Sequence, residues 1–371
     1  MSNTQRALVL LFSLVRFSTY SVLVPQGIAE YPKQPVWPGY LADPFAFEVN
    51  GTYYMIGTGL GLSKTNDTFP SLSSSDLITW NYTGDVLHVK NQADQPSAYW
   101  APEIAQHDRL FYLFYSAGFD ESKHRLRVAS SRSPLGPYDD SQAIELTDVT
   151  KLPFAIDPHP FRDTKDGQWY LFYSRDFLDT DQGYRAGTGL VVDRLIDNMT
   201  RLAGNETVVL RAKHDWQLYQ KNRWIYNSTY DWHTLEGAST WQQASGQYVC
   251  FYSGGNWQNT SYGVDYGIAF ASPWGPYEED STSQARVTHS ITGTIIGPGH
   301  NSIILGRDHE TTYIVYHAWN DAKTIRSPYV SPLNWKTMVP SSSSSGQDVL
   351  HVVLFLLAYT VVILLIFHHA L

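Results

Sequence analysis

Five short segments of the chain each place a polar residue in an otherwise apolar setting, a short distance ahead of a strand-like aromatic run. The residues are Asp43 in ADPFAF, Glu103 in WAPEIA, Asp157 in IDPHPF, Glu236 in LEGAST and His300 in GPGHNS. Removing a single carboxylate from water is costly, whereas several carboxylates around a water-filled mouth form an acid–base site. An Asp-Pro pair alone is often only a turn element. The recurrence of these segments, and not any one of them, therefore indicates a site.

The elements that must position these residues are short strands, because the runs that follow the five segments alternate and begin with turn residues. The runs are NGTYYMIGTG at 50–59, DRLFYLFYSAG at 108–118, DGQWYLFYSR at 166–175, SGQYVCFYSGG at 245–255 and HETTYIVYHAW at 309–319. Almost no helical period of 3.6 residues accompanies them.

The repeats extend beyond the aromatic runs. The phrases SSSDLITW at 73–80, ASSRSPLGPY at 129–138 and AFASPWGPY at 269–277 follow three of the runs and also match one another. A period of roughly 60 residues, built from about four strands, is typical of a propeller blade, and five blades fit the length. If the five polar segments are the innermost strands, their polar residues converge on the central axis. The sequence therefore predicts an all-β, five-bladed β-propeller with a central active-site pocket.

Composition excludes several classes of protein. The 371 residues are 43% hydrophobic and 16% charged, which is enough for a large core. The formal net charge is −9 and no run of Lys or Arg could follow a phosphate backbone, so nucleic acid is not an expected partner. Cys250 is the only cysteine, so no intramolecular disulfide forms, and its apolar setting predicts a buried thiol. We expect a monomer.

The two ends of the chain differ from the middle. Residues 1–29 are predicted to be a signal peptide, since Arg6 precedes the apolar stretch ALVLLFSLV and Gly27 and Ala29 offer a cleavage point. Residues 30–340 are the predicted catalytic propeller. Residues 341–371 begin with a serine-rich linker and end in a long apolar run without a following Lys or Arg. We interpret this end as a glycosylphosphatidylinositol anchor signal, with a membrane-spanning tail anchor as the alternative.

Sites for N-glycosylation support secretion independently. Seven asparagines open an Asn-x-Ser/Thr triplet without proline, namely Asn50, Asn66, Asn81, Asn198, Asn205, Asn227 and Asn259. Together with the two ends, these triplets predict a secreted glycoprotein tethered to the outer cell surface, with the membrane as a partner through the C-terminal anchor.

In the five segments the sequence resembles glycoside hydrolase family 43, whose members are five-bladed β-propellers that act on arabinose- and xylose-containing polysaccharides. The resemblance runs blade by blade over roughly residues 35–340. It implies that Asp43 is the general base and Glu236 the general acid. Asp157 would tune the pKa of the acid and orient the sugar.

The resemblance also explains why three carboxyl groups are needed. Cleavage of a glycosidic bond requires one protonated carboxyl to donate to the leaving oxygen and one carboxylate to activate water from the opposite face, which inverts the anomeric centre. A third carboxylate near Glu236 would disfavour its ionisation.

Other candidate residues follow from the same resemblance or from proximity. His300 would lie beneath the sugar and hold a hydrated metal ion such as calcium, which the chemistry itself would not require; a turn histidine is the alternative. Trp100 could stack on a sugar or pack between blades. Tyr230, Trp232 and His233 could form a subsite wall, and Arg326 resembles an arginine that reaches the pocket. Glu103 is expected at the rim or behind the site.

The expected function is therefore that of an inverting glycosidase, an α-L-arabinofuranosidase or β-xylosidase, acting on a polysaccharide or oligosaccharide. An endo-1,5-α-L-arabinanase with an open groove, a non-catalytic glycan-binding propeller and a structural adhesin are the alternatives. Many members of the family carry an additional C-terminal β-sandwich that shapes the pocket, whereas here the sequence passes from Trp335 straight into the serine-rich run, so we expect blade loops to build the pocket. The long aromatic segment 176–234 could supply a substrate wall instead.

Overall fold

The computed structural model describes residues 22–90 and 95–338, and strands dominate this part of the chain. The strands are β1 (Val22–Ile28), β2 (Ala42–Val49), β3 (Thr52–Thr58), β4 (Asp67–Ser74), β5 (Trp80–His88), β6 (Ala98–His107), β7 (Leu110–Phe119), β8 (Ser122–Ser131), β9 (Tyr138–Asp139), β10 (Ile144–Glu145), β11 (Ala155–Arg162), β12 (Trp169–Phe177), β13 (Gly187–Ile196), β14 (Arg201–Leu202), β15 (Thr207–Arg211), β16 (Leu218–Ile225), β17 (Ser228–His233), β18 (Leu235–Gln242), β19 (Tyr248–Gly254), β20 (Gly263–Ala269), β21 (Ile296–Leu305), β22 (Thr312–Trp319) and β23 (Arg326–Met338). The helices described are three 3₁₀ turns at Asp140–Gln142, Asp181–Gly183 and Asp215–Gln217.

The strands form five sheets around a common axis. In chain order the sheets begin with β2, β6, β11, β18 and β21. Each of these inner strands packs against the next, and β21 packs against β2, so the ring is closed. Four sheets have four or more strands; the sheet β18-β19-β20 has three, and a bridge between Ile268 and Glu278 occupies its outer edge. The predicted all-β propeller is confirmed.

The fifth sheet has the order β1-β23-β22-β21, so strands from both ends of the described chain complete it. This arrangement bears on the predicted signal peptide. Cleavage after Ala29 would remove β1 from the sheet, whereas cleavage before Val22 would retain it. The exact boundary stays a prediction, and N-terminal sequencing of the secreted protein tests it.

Each inner strand contains a left-handed residue at a shift in strand register, and β21 has a second such residue, Gly297 (56°), at a second shift. The residues with positive φ are Asp43 (51°), Ala101 (46°), Asp157 (58°), Gly237 (60°) and His300 (49°). The register shifts fall at the same points. Left-handed non-glycine residues are uncommon, and bulges next to active sites re-aim side chains. Five equivalent bulges therefore shape the axial end of the molecule.

The bulges correct one feature of the repeat comparison. Glu103 and Glu236 are not at the positions equivalent to Asp43, because Ala101 and Gly237 occupy those positions in the second and fourth sheets. Glu103 follows its bulge residue by two positions and Glu236 precedes its own by one. The two glutamates therefore leave the inner strands in different directions.

The core lies between neighbouring sheets. The second strands of the blades are buried on both faces, as in β19, whose seven residues are all buried. Both faces are buried because each sheet packs on two neighbours. Cys250 in β19 is fully buried and free, as predicted.

The long segment ahead of the fourth blade forms a hairpin of β16 and β17. Its two-residue turn, Tyr226 and Asn227, has φ values of 52° and 58°, as a hairpin with a type I′ turn requires. The hairpin meets the rest of its sheet at a parallel bridge between His233 and Gly187.

The predicted membrane anchor is not among the residues that the structure describes. Within residues 22–90 and 95–338 there is no helix long and apolar enough to cross a bilayer. The predicted anchor, residues 341–371, lies outside the described residues, as does most of the predicted signal peptide.

Candidate active site

A pocket of about 530 Å³ opens at the axial end where the bulged inner strands meet. Seven of the residues singled out in the sequence line this pocket, namely Asp43, Trp100, Asp157, Trp232, Glu236, His300 and Arg326. The three carboxyl groups that the resemblance assigns to catalysis thus share one cavity.

Asp43 is held as a carboxylate. Its side chain is 11% exposed, and its Oδ1 lies 3.3 Å from the Arg326 guanidinium and 3.4 Å from Nδ1 of His300. Burial alone would raise the pKa of Asp43. The Arg326 charge, with smaller contributions from the histidines and Thr58, more than offsets burial and lowers the pKa of Asp43 well below its usual value. Asp43 is therefore ionised at any pH at which a glycosidase works.

Glu236 has the opposite electrostatic environment. Its pKa is raised to about 7, with burial as the largest cause; the Tyr262 hydroxyl lowers this pKa and the negative charge of Asp43 raises it. The Tyr262 hydroxyl donates a hydrogen bond of 2.7 Å to Oε1 of Glu236. A carboxyl group with a pKa near neutrality still carries its proton at mildly acidic pH. Glu236 can therefore donate a proton where Asp43 cannot.

Asp157 is the third carboxyl group of the pocket. Burial, followed by the charges of Glu236 and Asp43, raises its pKa well above the usual value. The Gly237 backbone N–H donates to its Oδ2 at 3.0 Å, which favours the ionised form. The sequence interpretation made Asp157 the cause of the raised pKa of Glu236, but the main causes that raise it are burial and, to a smaller extent, the charge of Asp43. Asp157 and Glu236 repel each other reciprocally, so their protonation is linked.

Arg326 is fixed in place on several sides. Its Nε and one terminal nitrogen donate to the Tyr40 hydroxyl at 3.1 and 3.0 Å. Its guanidinium lies 4.5 Å from the ring centroid of Trp257 and 5.6 Å from that of Trp319. Stacking of a planar guanidinium on aromatic rings orients its hydrogen bonds. Arg326 thus presents a defined positive charge to Asp43.

His300 bears on the predicted metal. No group of three or more His, Cys, Asp or Glu side chains suited to a metal occurs within the described residues. Beside His300, however, both polar atoms of the Asn301 amide are buried without a hydrogen-bond partner. Burial of such atoms is expected where water or a hydrated ion fills the adjacent space. The residues fit a loosely held ion with water ligands, and they do not fit a site closed by protein ligands.

Trp100 both packs and lines the pocket. Its ring stacks on the His124 ring, with centroids 3.8 Å apart, and the His124 ring makes an edge-to-face contact with Phe154. A side chain at Gly118 would collide with the His124 ring, at 2.4 Å. Gly118 therefore leaves room for the histidine that supports Trp100. Trp100 also lines the pocket, where a sugar could stack on it.

The hairpin of β16 and β17 supplies one wall. Pocket-lining residues from it are Tyr219, Arg223, Ile225, Tyr226 and Trp232. The predicted wall is thus formed, but two of its predicted members are not part of it. Tyr230 packs edge-on against Trp232 nearer the turn, and His233 is buried at the Gly187 bridge on the opposite face of the strand. Neither Tyr230 nor His233 lines the pocket.

Contacts with two other blades hold the hairpin in place. Glu121, in the turn between β7 and β8, accepts from Arg223 at 3.2 Å and from the Tyr219 hydroxyl at 3.4 Å. Asn256 donates to the Tyr219 carbonyl at 2.9 Å from the fourth blade. We call the Glu121–Arg223–Tyr219 contact the clamp. The wall therefore runs from the second blade through the hairpin to the fourth.

Glu103 occupies the second of its two predicted positions, behind the site and not at the rim. It is buried and does not line the pocket; its Oε2 accepts from Nδ1 of His159 at 2.7 Å. His159 in turn accepts from the Thr240 N–H at 3.0 Å. Glu103 therefore joins three inner strands to one another below the pocket.

Several pocket residues were missed in the sequence. Asp176 and Trp257 line the pocket and follow the Phe-Tyr-Ser triplets of the third and fourth repeats. The aligned repeats place the ends of these strands at one edge of the propeller, which was the available signal. Tyr40, which also lines the pocket, and Tyr262, which contacts Glu236 without lining it, had no local signal, because their partners Arg326 and Glu236 come from other strands.

Comparison with known proteins agrees with the geometry. The chain is similar to a β-D-galactofuranosidase of Aspergillus niger, 26% identical over 294 residues, which cover 76% of this chain and 75% of the relative. It is also similar to an extracellular endo-α-(1→5)-L-arabinanase of Bacillus subtilis, 29% identical over 38% of this chain and 34% of the relative. In the crystal structure of a thermostable family-43 glycoside hydrolase, 24% identical, 98% of that chain matches 85% of this one with a TM-score of 0.68. The family model of the glycosyl hydrolases family 43 matches residues 32–338, and the chain therefore belongs to this family of enzymes, which cleave glycosidic bonds.

Proposed function

We propose that this glycoside hydrolase removes single terminal sugars from arabinose- or xylose-containing cell-wall glycans, as an α-L-arabinofuranosidase or β-xylosidase. The observation that carries the proposal is the contrast between two partly buried carboxyl groups in one pocket. Arg326 holds Asp43 in its ionised form, whereas the pKa of Glu236 is raised to about 7, so Glu236 keeps its proton below that pH. These are the two protonation states that inverting hydrolysis needs at the same time.

The proposed mechanism uses each group once. Glu236 donates its proton to the glycosidic oxygen as the bond to the leaving group breaks. Asp43 takes a proton from the water molecule that attacks the anomeric carbon from the other face. Asp157, whose Oδ2 accepts from the Gly237 N–H, orients the sugar, and its protonation is linked to that of Glu236. Trp100 supplies a surface on which the bound sugar stacks.

A hydrated cation such as calcium, held by His300 with water ligands, belongs to the proposal but not to any of its steps. When bound, such an ion would contribute positive charge that helps to orient the sugar and the carboxylates. Calorimetric titration with calcium chloride, compared between the native protein and His300→Ala, tests this part. Equal heats for the two proteins, or none, would reject it.

The wall favours action at chain ends. A polymer bound in mid-chain needs a groove that is open on both sides of the cleaved bond, whereas a pocket admits one terminal sugar. Here the hairpin and the clamp link the second blade to the fourth across the pocket margin. The endo-arabinanase alternative is therefore the less favoured one, although one relative carries that name. The Aspergillus niger relative is named a β-D-galactofuranosidase, so terminal β-D-galactofuranose is a further candidate sugar.

One experiment tests activity, substrate and stereochemistry together. The purified enzyme is assayed on aryl α-L-arabinofuranoside, β-D-xyloside and β-D-galactofuranoside and on debranched arabinan, with the anomeric product followed by NMR. We expect cleavage of an aryl glycoside with inversion, and release of monosaccharide alone from any polymer. Retention of configuration, release of oligosaccharides, or binding of glycans without cleavage would each contradict the proposal.

We also propose that the protein acts outside the cell as a tethered, glycosylated monomer. None of the seven candidate asparagines is buried, and Asn50, Asn81, Asn198, Asn205 and Asn227 are exposed. The Bacillus subtilis relative is named as extracellular. Treating membranes of the producing cell with a phospholipase specific for glycosylphosphatidylinositol should release the enzyme. Retention on the membrane would favour the spanning tail.

A further inference from the structure

We propose that Tyr262 and His317 form one buried unit that sets the position of Glu236 relative to Asp43. This inference rests on the proposed roles of Glu236 as acid and Asp43 as base. Neither Tyr262 nor His317 lines the pocket, so neither is a catalytic residue. Both would act as positioning residues, each holding one of the two reacting groups.

The unit is continuous from one carboxyl group to the other. The Tyr262 hydroxyl donates to Glu236 Oε1 at 2.7 Å. The Tyr262 ring stacks on the His317 ring, with centroids 5.8 Å apart and planes 13° from parallel. His317 Nδ1 accepts from the Asp43 backbone N–H at 3.0 Å. The acid in the fourth blade and the base in the first are thereby joined through a strand of the fifth.

His317 can serve only as an acceptor at this nitrogen. It is fully buried in β22, and burial, followed by the Arg326 charge, lowers its pKa well below the usual value. The neutral ring must leave Nδ1 unprotonated to accept from Asp43. Asp43 has a left-handed backbone, with φ of 51°, which only surrounding contacts can maintain. The His317 acceptor is one such contact, placed at the residue that bears the base.

Tyr262 is confined as tightly as His317. It is 1% exposed, and a Cβ atom at Gly299 would lie 2.1 Å from its ring. Gly299 pairs with His317 in the sheet, so the absence of a side chain there creates the space that the ring fills. Packing of the Tyr262 ring thus explains why the second glycine of the GPGHNS segment, Gly299, has no side chain, which the sequence alone did not reveal. The tyrosine ring has no free volume in which to turn its hydroxyl away from Glu236.

Leaving-group dependence separates positioning from mere packing. Proton donation by Glu236 matters for a poor leaving group and hardly for 2,4-dinitrophenolate, which departs without help. We expect Tyr262→Phe to lower kcat on the phenyl glycoside about tenfold or more with KM little changed, and to leave the 2,4-dinitrophenyl glycoside of the same sugar within about threefold. His317→Phe keeps a ring but removes the acceptor, and we expect it to slow both substrates by the same factor.

Three further variants make the test decisive. Gly299→Ala should reproduce the pattern of Tyr262→Phe, because it displaces the same ring. The double variant of Tyr262→Phe and His317→Phe should be non-additive if the pair acts as one unit. Tyr316→Phe is the matched control, since Tyr316 is equally buried in β22 but its hydroxyl contacts Ser331 at 3.3 Å instead of the site. Thermal unfolding of every variant checks that the fold is retained.

The outcomes distinguish this inference from the proposed function. Glu236→Ala is assayed on the same two glycosides, and equal activity on both would reject the assignment of the acid itself. If Glu236→Ala loses only the phenyl glycoside while Tyr262→Phe slows both substrates equally, or neither, Tyr262 is a core residue and the inference is wrong. Selective loss in both variants, with Tyr316→Phe unaffected, supports it.

Discussion

Two corners of the same pocket treat chemically similar side chains in opposite ways. Asp43 and Glu236 are both removed from water, and burial raises the pKa of each. At Asp43 a guanidinium 3.3 Å away reverses this effect, whereas the nearest hydrogen-bonding partner of Glu236 is the neutral hydroxyl of Tyr262. Burial alone therefore does not define an acid or a base. The position of one fixed cation, Arg326, decides which carboxyl group accepts a proton and which donates it.

Removing either carboxylate should have the largest effect and a different one at each corner. We expect Asp43→Asn to lose about 10³-fold or more in kcat/KM on every substrate, because no group then activates water. Glu236→Gln should lose as much on oligosaccharides while retaining cleavage of the dinitrophenyl glycoside, which needs no acid. Sugar binding by both variants, followed calorimetrically, serves as the control for folding. Identical profiles for the two variants would contradict the assigned difference.

Removing the cation should make the two corners more alike. Without Arg326, burial would raise the pKa of Asp43, so Arg326→Met should lose activity mainly at low pH, by about 10²-fold. The acid limb of kcat/KM against pH should move toward neutrality. Arg326→Lys keeps the charge but not the planar guanidinium, so its activity at low pH should lie between that of the native enzyme and that of Arg326→Met. An unmoved acid limb in Arg326→Met would show that the ionisation of Asp43 does not depend on this residue.

The pH profile of the native enzyme tests the same contrast without a substitution. The pKa of Asp43 is lowered, so the base stays ionised and no activity is lost until the medium is strongly acidic. The pKa of Glu236 is raised to about 7, so the acid loses its proton above that pH. We expect kcat/KM to fall about tenfold per pH unit above neutrality. A profile that stays flat to pH 9 would remove Glu236 from the role of acid.

The clamp should give the smallest effect, because a partly exposed ion pair contributes only about 0–1 kcal/mol. Arg223→Gln breaks its contact with Glu121 and should loosen the wall of the pocket. We expect the rate on debranched arabinan, relative to the aryl glycoside, to rise a few-fold, with short oligosaccharides among the products. Arg185→Gln, which breaks an exposed pair with Asp215, is the control. No change in Arg223→Gln beyond that of the control would indicate that the clamp does not set chain-end specificity.

The architecture and the main members of the site could be predicted from local sequence patterns. Turn residues and period-two alternation are local signals, and their fivefold recurrence was sufficient to predict the propeller. The same recurrence brought Asp43, Asp157, Glu236 and His300 to attention, and the structure places all four in the pocket. Local patterns predict these site residues because strands that follow equivalent turns in each repeat place equivalent residues at the same edge of the propeller.

How these residues are held, and which protonation state each favours, depends on contacts that form only in the folded molecule. The partners that matter are far apart in the chain: 283 positions separate Asp43 from Arg326, and 102 separate Glu121 from Arg223. The misplacement of Tyr230 and His233 has the same origin, since a strand period does not say which face meets a cavity. A pKa depends on burial and on charges nearby in space. Sequence spacing carries neither quantity, so acid, base and pocket wall became distinguishable only once the blades had closed around the axis.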